Sequence, residues 1–348
     1  MSLNFVIGTG RCGSTMMSHI MHLHPDILSA SEFINTIGEA LNSNTFPEGS
    51  MDGQELWQHL SSPNPDIDGM ICAGGRTEEM AYPYDTGRFR PDTGVPRICH
   101  AFLPMLTDDP DAMFDQLAAE VPNWPARSPA EQYRAFLTHV AGLLGRQVIV
   151  ERSGASSAYP VMLLTQFPDA RFVHMYRNGP DTALSISRFP SARVLGIAYE
   201  AVRAANLPPE TPWEEIKAAA PKEFAGLLEP PFDVQKIRDY PLPLTFFAEV
   251  WSGMMKMAGA IFPKLPRDIW TNLKYETLLG DPKGELSRIA DFLGVPATPE
   301  WLAESSQFMQ LGRTGTAAAR LDPAAFAELE AACEPGMQVI AELEASCQ

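Results

Sequence analysis

A glycine-rich turn near the N-terminus constrains the fold of this 348-residue chain more than any other sequence feature. Residues 4–7 form an apolar run typical of a buried strand, and residues 8–13 form the turn. The apolar spacing of residues 14–23 predicts a helix that stops at a His-Pro pair, and residues 27–30 predict a second strand. A strand, a glycine turn, a helix and a strand make a βαβ unit, which predicts an α/β fold with a parallel sheet.

The turn, with the sequence GTGRCGST, fits two kinds of phosphate-binding motif. As G-x-G-x-x-G it matches a dinucleotide-binding turn, with an acidic residue, Glu32, about 20 residues further on. As G-x-x-x-x-G-x-T it matches a phosphate loop in which Ser14 replaces the expected lysine. That lysine contacts the β- and γ-phosphates in nucleoside triphosphatases, so the serine favours a ligand with a single phosphate at the loop. From this motif alone, an NAD(P)-dependent oxidoreductase, a phosphate-loop protein and a purely structural turn remain alternatives.

A second candidate phosphate site follows the strand predicted at residues 171–176. Arg177 comes at the carboxyl end of this strand, where open parallel sheets bind their ligands, and Ser185 lies about two turns into the next helix. A guanidinium and a hydroxyl at this spacing could hold a phosphate distinct from the first one, although a capped helix with an exposed arginine would have the same sequence. A dehydrogenase does not need this second clamp, whereas a ligand with two separate phosphates does.

The composition narrows the classes of partner. The chain has 26 basic and 43 acidic residues, a net charge of −17, which argues against non-specific nucleic-acid binding and against docking on an anionic membrane. No stretch has the roughly 18 apolar residues that a membrane span needs, and the first residues lack the pattern of a signal peptide. Five cysteines without a Cys-x-x-Cys pair predict no zinc framework and favour a reduced, cytoplasmic protein.

We expect one domain over residues 1–348 with two less regular segments. Residues 45–130 are rich in Pro, Gly, Asp and Ser, which predicts an insertion of short helices and long loops that caps the substrate side. Residues 190–245 are again rich in proline and predict a mobile lid or loop layer. The remaining pattern predicts strands at 147–150, 171–176 and 269–274. It predicts helices at 129–144 and 246–261, a helix that begins at Pro180, and a helix from Asp281-Pro282 to Gly294. A last helix is predicted to begin at Asp322-Pro323 and to break at 334–336.

Three sequence blocks, taken together, resemble the sulfotransferases that use 3′-phosphoadenosine 5′-phosphosulfate (PAPS). In order along the chain they are RCGST followed by HPDILSASE, then FPDARFVHMYRNGPDTALSISR, and then KYETLLGDPKGELSRIADFLGV. The tyrosylprotein- and carbohydrate-type branch is the most similar. The resemblance implies a P-loop-like, three-layer α/β/α fold around a central parallel sheet. It also implies transfer of a sulfuryl group from PAPS to an acceptor hydroxyl or, less often, an amine, with no metal.

The resemblance also implies site residues. The loop that holds the 5′-phosphosulfate would consist of Arg11, Cys12, Gly13, Ser14 and Thr15. Arg177 and Ser185 would hold the 3′-phosphate, and Tyr275 would lie against the nucleotide. Arg313, in a C-terminal loop of small residues, would return to the nucleotide, while Arg320 is expected to be a solvated charge.

The catalytic roles follow from the same resemblance. Glu32 stands after the His-Pro turn, where this branch carries its catalytic acid, and is our candidate general base. Arg11 and Arg152 would stabilise the leaving group. This chain departs from the family at Cys12, where serine is usual, and at Arg152, where relatives often carry lysine.

Other residues are weaker candidates. His100 and His174 are secondary candidates for the base, and the strand position of His174 favours packing in the core. His19 and His22 share a helix face, but no carboxylate or cysteine completes a metal set. A non-catalytic nucleotide-binding module remains a further alternative. The acceptor is expected to be a small molecule or a carbohydrate, the oligomeric state is open, and the arginines should create a local basic pocket in an acidic protein.

Overall fold

Five short, mostly apolar strands form the central sheet of the computed structural model, which describes residues 1–37, 46–309 and 313–346. Within these residues the sheet is entirely parallel, in the order β2-β3-β1-β4-β5. The strands are β1 (Ser2–Gly8), β2 (Ile27–Ser31), β3 (Val148–Arg152), β4 (Arg171–Tyr176) and β5 (Trp270–Lys274). In register, Ser31 is opposite Arg152 and Gly8 is opposite Met175. The carboxyl ends of the strands therefore meet at one edge of the sheet.

Helices cover both faces of the sheet. In chain order they are α1 (Ser14–His22), α2 (Phe33–Ile37), α3 (Gly53–Ser61), α4 (Pro65–Cys72), α5 (Arg97–His100), α6 (Pro110–Glu120), α7 (Pro129–Leu143), α8 (Pro160–Gln166), α9 (Gly179–Ile186), α10 (Pro190–Ala204), α11 (Trp213–Ala219), α12 (Val234–Asp239), α13 (Leu244–Ile261), α14 (Tyr275–Gly280), α15 (Pro282–Leu293), α16 (Pro299–Met309), α17 (Thr316–Arg320) and α18 (Pro323–Ser346). Short 3₁₀ turns occur at Leu103–Met105, Val121–Asn123, Ser156–Ala158, Lys222–Phe224 and Phe262–Lys264.

Alternate side chains of each strand enter different cores, because successive residues of a strand face opposite sides of the sheet. Val6 and Val173 pack on the side of α1, α14, α15 and α16. Phe5 and Phe172 pack on the other side, with α7, α8, α9, α13 and α18. Helices on both faces of a parallel sheet make the three-layer α/β/α fold, as predicted.

The structure confirms most of the elements that local sequence signals predicted. Asn178 caps α9, and its side chain accepts a hydrogen bond from the backbone N–H of Asp181. Asp281 caps α15 in the same way, and Gly294 ends that helix in the left-handed conformation with φ 78°. The predicted break at residues 334–336 is wrong, because α18 continues through Pro335. Gly336 lies so close to α13 that a Cβ there would come within 2.4 Å of the Trp251 ring, so α18 packs tightly on α13 next to the proline.

The segment at residues 45–130 has the predicted mixture of short helices and loops, in α3 to α6, although its first residue lies outside the described part of the chain. Its rings pack into the main core: Phe102 is fully buried and contacts Phe33, at a centroid distance of 4.6 Å. The segment is thus attached to the sheet layer through apolar contacts. That it caps the substrate side remains a prediction.

The segment at residues 190–245 is helical where a loop layer was predicted, so that expectation is wrong. Pro190 is the first residue of α10, a position that suits proline because the missing N–H has no helical partner there. Ile197 and Ile237 are fully buried in a separate apolar cluster, which Met70 of α4 joins. That the segment forms a mobile lid remains a prediction. Across the described residues, no helix has both the length and the apolar character needed to cross a membrane.

Candidate active site

The glycine turn lies at the carboxyl edge of the sheet and has an unusual backbone. Gly10, Arg11 and Gly13 all have positive φ, at 73°, 54° and 94°. At Gly13 a Cβ would also come within 2.4 Å of the Tyr275 ring, so only glycine fits there. Helix α1 begins directly after Gly13, and the first N–H groups of a helix lack partners within the helix. This geometry suits a bound anion.

Arg11 connects the turn to the second candidate phosphate site. Its Nε donates a hydrogen bond to Ser185 Oγ at 3.2 Å. Its Nη1 donates to Glu79 Oε1, also at 3.2 Å, and the guanidinium lies 5.0 Å from the centroid of the Phe189 ring. Two residues predicted to bind different phosphates, Arg11 and Ser185, are therefore in direct contact.

Arg177 is buried beside them, and part of its guanidinium is engaged by neighbouring residues. Its Nη2 donates to the carbonyl of Arg313 at 2.7 Å and to Asp181 Oδ2 at 3.3 Å. Its guanidinium carbon lies 4.8 Å from the centroid of the Tyr275 ring. Within the described residues, the buried Nε makes no hydrogen bond. Since buried donors are nearly always paired, this atom is well suited to an anionic ligand such as a phosphate oxygen.

Asp181, which the sequence analysis did not single out, attaches the C-terminal loop to this site. Its carboxylate accepts hydrogen bonds from the backbone N–H groups of Gly315 and Ala317, both at 2.8 Å, and from Thr316 Oγ1 at 3.0 Å. Tyr275 fixes the same loop, because its hydroxyl accepts from the backbone N–H of Arg313 at 3.1 Å. One local signal could have identified Asp181, namely its place in the first turn of the helix after Arg177.

A cleft of about 310 Å³ with a strongly basic wall lies between the glycine turn, α9 and the C-terminal loop, and Ser185 is among its lining residues. Asp181 is the one acidic residue among its described lining residues. The arginines that line it are Arg11, Arg177, Arg188, Arg313 and Arg320. Arg188 was missed, although it ends the second sequence block, and Arg320 lines the cleft while remaining exposed. A basic pocket in a protein of net charge −17 is what the composition and the motifs predicted. We call this feature the arginine cleft.

Glu32 follows β2 at the same edge and is held by several donors. Its backbone has φ 56°, and its N–H donates to the carbonyl of Arg152 at 2.7 Å. Its carboxylate accepts from the Arg152 guanidinium, from Asn35 Nδ2 at 2.7 Å and from the backbone N–H of Gly154 at 3.0 Å. Tyr159 donates to Asn35 Oδ1 at 3.0 Å and so fixes the orientation of that amide. Asn35 was not predicted, because nothing in its local sequence distinguishes it.

Arg152 is almost fully buried, with 3% of its surface exposed, and does not line the arginine cleft. Besides its ion pair with Glu32, its Nε donates to Ser18 Oγ at 2.7 Å and its Nη2 to Ser31 Oγ at 3.3 Å. The candidate base and the second candidate cation are thus paired with each other. The link to Ser18 connects this pair to α1, the helix that follows the glycine turn.

Glu151 lies behind this pair and was also missed, because its strand position gave no functional signal. It is 1% exposed, and its Oε1 accepts from the Ile34 backbone N–H at 3.0 Å and from Ser153 Oγ at 2.5 Å. Burial raises the pKa of Glu151 to about 7.

The histidines lie apart from the arginine cleft. His174 is packed in the core, as predicted, and burial lowers its pKa to about 4. His100 lies in the 45–130 segment, where a ring nitrogen contacts the Tyr84 hydroxyl at 3.0 Å, and burial lowers its pKa to about 4. In the part of the chain that the structure describes, no group of three or more His, Cys, Asp or Glu residues is arranged to hold a metal ion.

Comparisons with known proteins identify the family of this chain. A family model described as the sulfotransferase family matches residues 4–200, and a comparison with curated proteins found no match. Several solved structures are similar to this chain, and for each the values in parentheses are the sequence identity, the share of this chain covered, the share of that chain covered and the TM-score. They are the sulfotransferase domain of the olefin synthase from Synechococcus PCC 7002 (12%, 98%, 94%, 0.45), the sulfotransferase domain from the curacin biosynthetic pathway (14%, 99%, 98%, 0.44) and a sulfotransferase from Mycobacterium avium (13%, 97%, 75%, 0.43). The family model spans more than half of the chain. The chain therefore belongs to the sulfotransferase family and is a sulfotransferase enzyme.

Proposed function

We propose that this enzyme transfers the sulfuryl group of PAPS to a hydroxyl, or less often an amine, of a small-molecule or carbohydrate acceptor. The observation that carries the proposal is the arginine cleft, where Arg11 of the glycine turn contacts Ser185 and the buried Nε of Arg177 has no described partner. A donor with two separated anionic groups matches two adjacent anion sites better than a nicotinamide dinucleotide does.

In this proposal the loop from Arg11 to Thr15 binds the 5′-phosphosulfate through its backbone N–H groups and the N-terminus of α1. Arg177 and Ser185 bind the 3′-phosphate. Tyr275 packs between Gly13 and Arg177, so it separates the two anion sites. Arg313 borders the cleft with its side chain, while its backbone is fixed by Tyr275 and Arg177. Cys12 is buried beneath the loop and supports it by packing.

The transfer itself requires in-line attack and stabilisation of a leaving group. The acceptor oxygen forms a bond to sulfur while the bond from sulfur to the bridging phosphate oxygen breaks, which leaves adenosine 3′,5′-bisphosphate (PAP). Negative charge grows on the bridging oxygen, and in this proposal Arg11 and the N-terminus of α1 stabilise it. Holding donor and acceptor in line supplies a further part of the rate acceleration.

Glu32 accepts the proton that the acceptor hydroxyl loses. Both of its oxygens are engaged, Oε1 by Arg152 and Gly154 and Oε2 by Asn35 and Gly154, with the Gly154 N–H shared. A carboxylate has about four acceptor positions and these three donors occupy about three of them, so one position remains for the acceptor proton. Arg152 orients Glu32 through their ion pair. The guanidinium of Arg152 has five N–H groups, and its described partners are Ser18, Glu32 and Ser31, so N–H groups remain that can bind an oxygen of the sulfuryl group.

A titration of thermal stability with PAP, NAD and ATP tests the donor assignment. PAP at 100 times its Kd should add about 2.7 kcal/mol of stability. Stabilisation by NAD or ATP in the absence of any effect of PAP would instead support an oxidoreductase or another nucleotide-binding protein.

A variant of Glu32 tests the chemical step. Glu32→Gln should bind PAP as the wild type does, but should lose most transfer from labelled PAPS to a panel of phenols, carbohydrates and hydroxylated natural products, since a general base typically contributes about 10²–10⁴-fold. The control is Glu304→Gln, on the exposed side of α16, which should keep full transfer. Equal transfer by both variants would refute the role of Glu32, and a protein that binds PAP but transfers to no acceptor would be a non-catalytic module.

A further inference from the structure

A carboxylate from the 45–130 segment lies on the glycine turn. Glu79, in the loop between α4 and α5, accepts hydrogen bonds at Oε1 from Arg11 Nη1 at 3.2 Å and from Thr15 Oγ1 at 3.0 Å. Its side chain is only 14% exposed. Both donors belong to the loop that we propose for the 5′-phosphosulfate of the donor. An anion from the protein thus uses the groups that the ligand would need.

The environment of Glu79 keeps it charged. Burial alone would favour the neutral acid, but the hydrogen bond from its own backbone N–H and the charge of Arg11 together lower the pKa of Glu79 below its ordinary value. The carboxylate is therefore an anion at neutral pH. A carboxylate oxygen that accepts from a guanidinium and a hydroxyl makes the same contacts as one oxygen of a phosphate or sulfate group.

We propose that Glu79 is an internal anion of the donor site, which the 5′-phosphosulfate displaces from Arg11 and Thr15 when PAPS binds. The inference rests on the proposed function, because it needs the donor at this loop. Two anions this close would repel each other. Glu79 and the phosphosulfate of PAPS therefore compete for the hydrogen bonds of Arg11 and Thr15. The apparent affinity for the donor then equals the intrinsic affinity multiplied by the fraction of molecules in which the loop is free.

The surroundings of Glu79 allow a local displacement. Its turn is short, with hydrogen bonds from Met80 N to the Thr77 carbonyl at 3.2 Å and from Ala81 N to the Glu79 carbonyl at 3.0 Å. The chain beyond it is anchored, because Tyr82 is fully buried and donates from its hydroxyl to Asp111 at 2.7 Å. The side chain and its turn can therefore leave the loop while the rest of the segment stays attached. Donor binding and the position of this turn are then coupled in both directions.

A permanent structural role for Glu79 predicts the opposite result. If Glu79 were needed to orient Arg11 for the donor, its removal would weaken donor binding. If Glu79 competes with the donor, its removal strengthens binding. The sign of the change in Kd therefore separates the two roles.

The test measures the Kd values of PAP, adenosine 5′-monophosphate and adenosine 3′-monophosphate by calorimetry for the full-length wild type, Glu79→Gln and Glu78→Gln. Glu78 is an exposed neighbour of the same charge, so its variant controls for the change in net charge. Glu79→Gln should bind PAP and the 5′-phosphate about tenfold or more tightly, because the neutral amide competes less well for the loop. Binding of the 3′-phosphate, which does not reach the loop, should change less than twofold, as should all three affinities of Glu78→Gln.

Unchanged or weaker binding of PAP by Glu79→Gln would overturn the inference while leaving the proposed function intact. Absence of PAP binding by all three proteins, each folded by its melting curve, would overturn the proposed function and the inference with it. If Glu79→Gln is poorly folded, Glu79→Ala provides the same test, since it removes the carboxylate that occupies Arg11 and Thr15. It should tighten PAP binding as well, and an unchanged or weaker affinity would count against the inference.

Discussion

The buried carboxyl of Glu151 allows a quantitative prediction about the pH dependence of stability. Burial raises its pKa from the ordinary 4.5 to about 7 in the folded protein. Between these values the folded state holds a proton that the unfolded state has lost, so the contribution of this group to stability falls as the pH rises. Relative to a carboxyl that stays protonated, Glu151 costs about 1 kcal/mol at pH 5 and about 3 kcal/mol at pH 8.

Glu151→Gln removes this dependence. Glutamine cannot ionise, and its amide oxygen can still accept the hydrogen bonds from Ile34 N–H and Ser153 Oγ. The stability of the variant relative to wild type should therefore increase by about 2 kcal/mol between pH 5 and pH 8. Urea unfolding followed by circular dichroism at four pH values in this range measures the difference, with Glu304→Gln as the exposed control. A difference between Glu151→Gln and wild type that does not change with pH would refute the argument.

Two further predictions concern the loops of the site. Gly13→Ala should lower the free energy of unfolding, measured in urea, by about 2–4 kcal/mol, because alanine at φ 94° is strained and its Cβ would clash with Tyr275. The control Gly142→Ala, in open space on α7, should be neutral or stabilising. Equal effects of the two substitutions would contradict the close approach of Tyr275 to Gly13. Asp181→Asn should weaken PAP binding about tenfold, because the carboxylate orients Arg177 and holds the loop that carries Gly315, and an unchanged Kd in calorimetry would show that this loop does not contribute.

The N-terminal unit of the fold could be predicted because its signals are local. The glycine turn, the start of α1 at Ser14 and the capping residues of α15 depend on neighbours a few residues away. The sheet order could not be predicted. β3 lies between β2 and β1 although the chain makes a long excursion, from residue 31 to residue 148, before it forms this strand. No local pattern encodes which strands become neighbours. Prolines were misleading in the 190–245 segment, because they begin helices there.

The site could be predicted where its residues follow strands. Glu32 follows β2 and Arg152 ends β3, and these two strands are adjacent in the sheet. The register sets Ser31 opposite Arg152, which brings Glu32 and Arg152 into contact. Glu79 and Asn35 could not be found in this way. Glu79 meets Arg11 across 68 residues of sequence, from a segment without regular periodicity. Its role depends entirely on tertiary contacts.

Carboxylates of this acidic protein pair with arginines of the candidate active site. Three of the arginines that the sequence analysis assigned to the donor or the transition state are paired with carboxylates: Arg11 with Glu79, Arg177 with Asp181, and Arg152 with Glu32. These pairs differ in how firmly the carboxylate is held. Asp181 also accepts from two backbone N–H groups and a hydroxyl, and Glu32 also accepts from Asn35 and Gly154. Outside its own turn, Glu79 has Arg11 and Thr15 as its described donors. A dianionic ligand that enters the arginine cleft should therefore displace Glu79 first and leave the other two pairs in place.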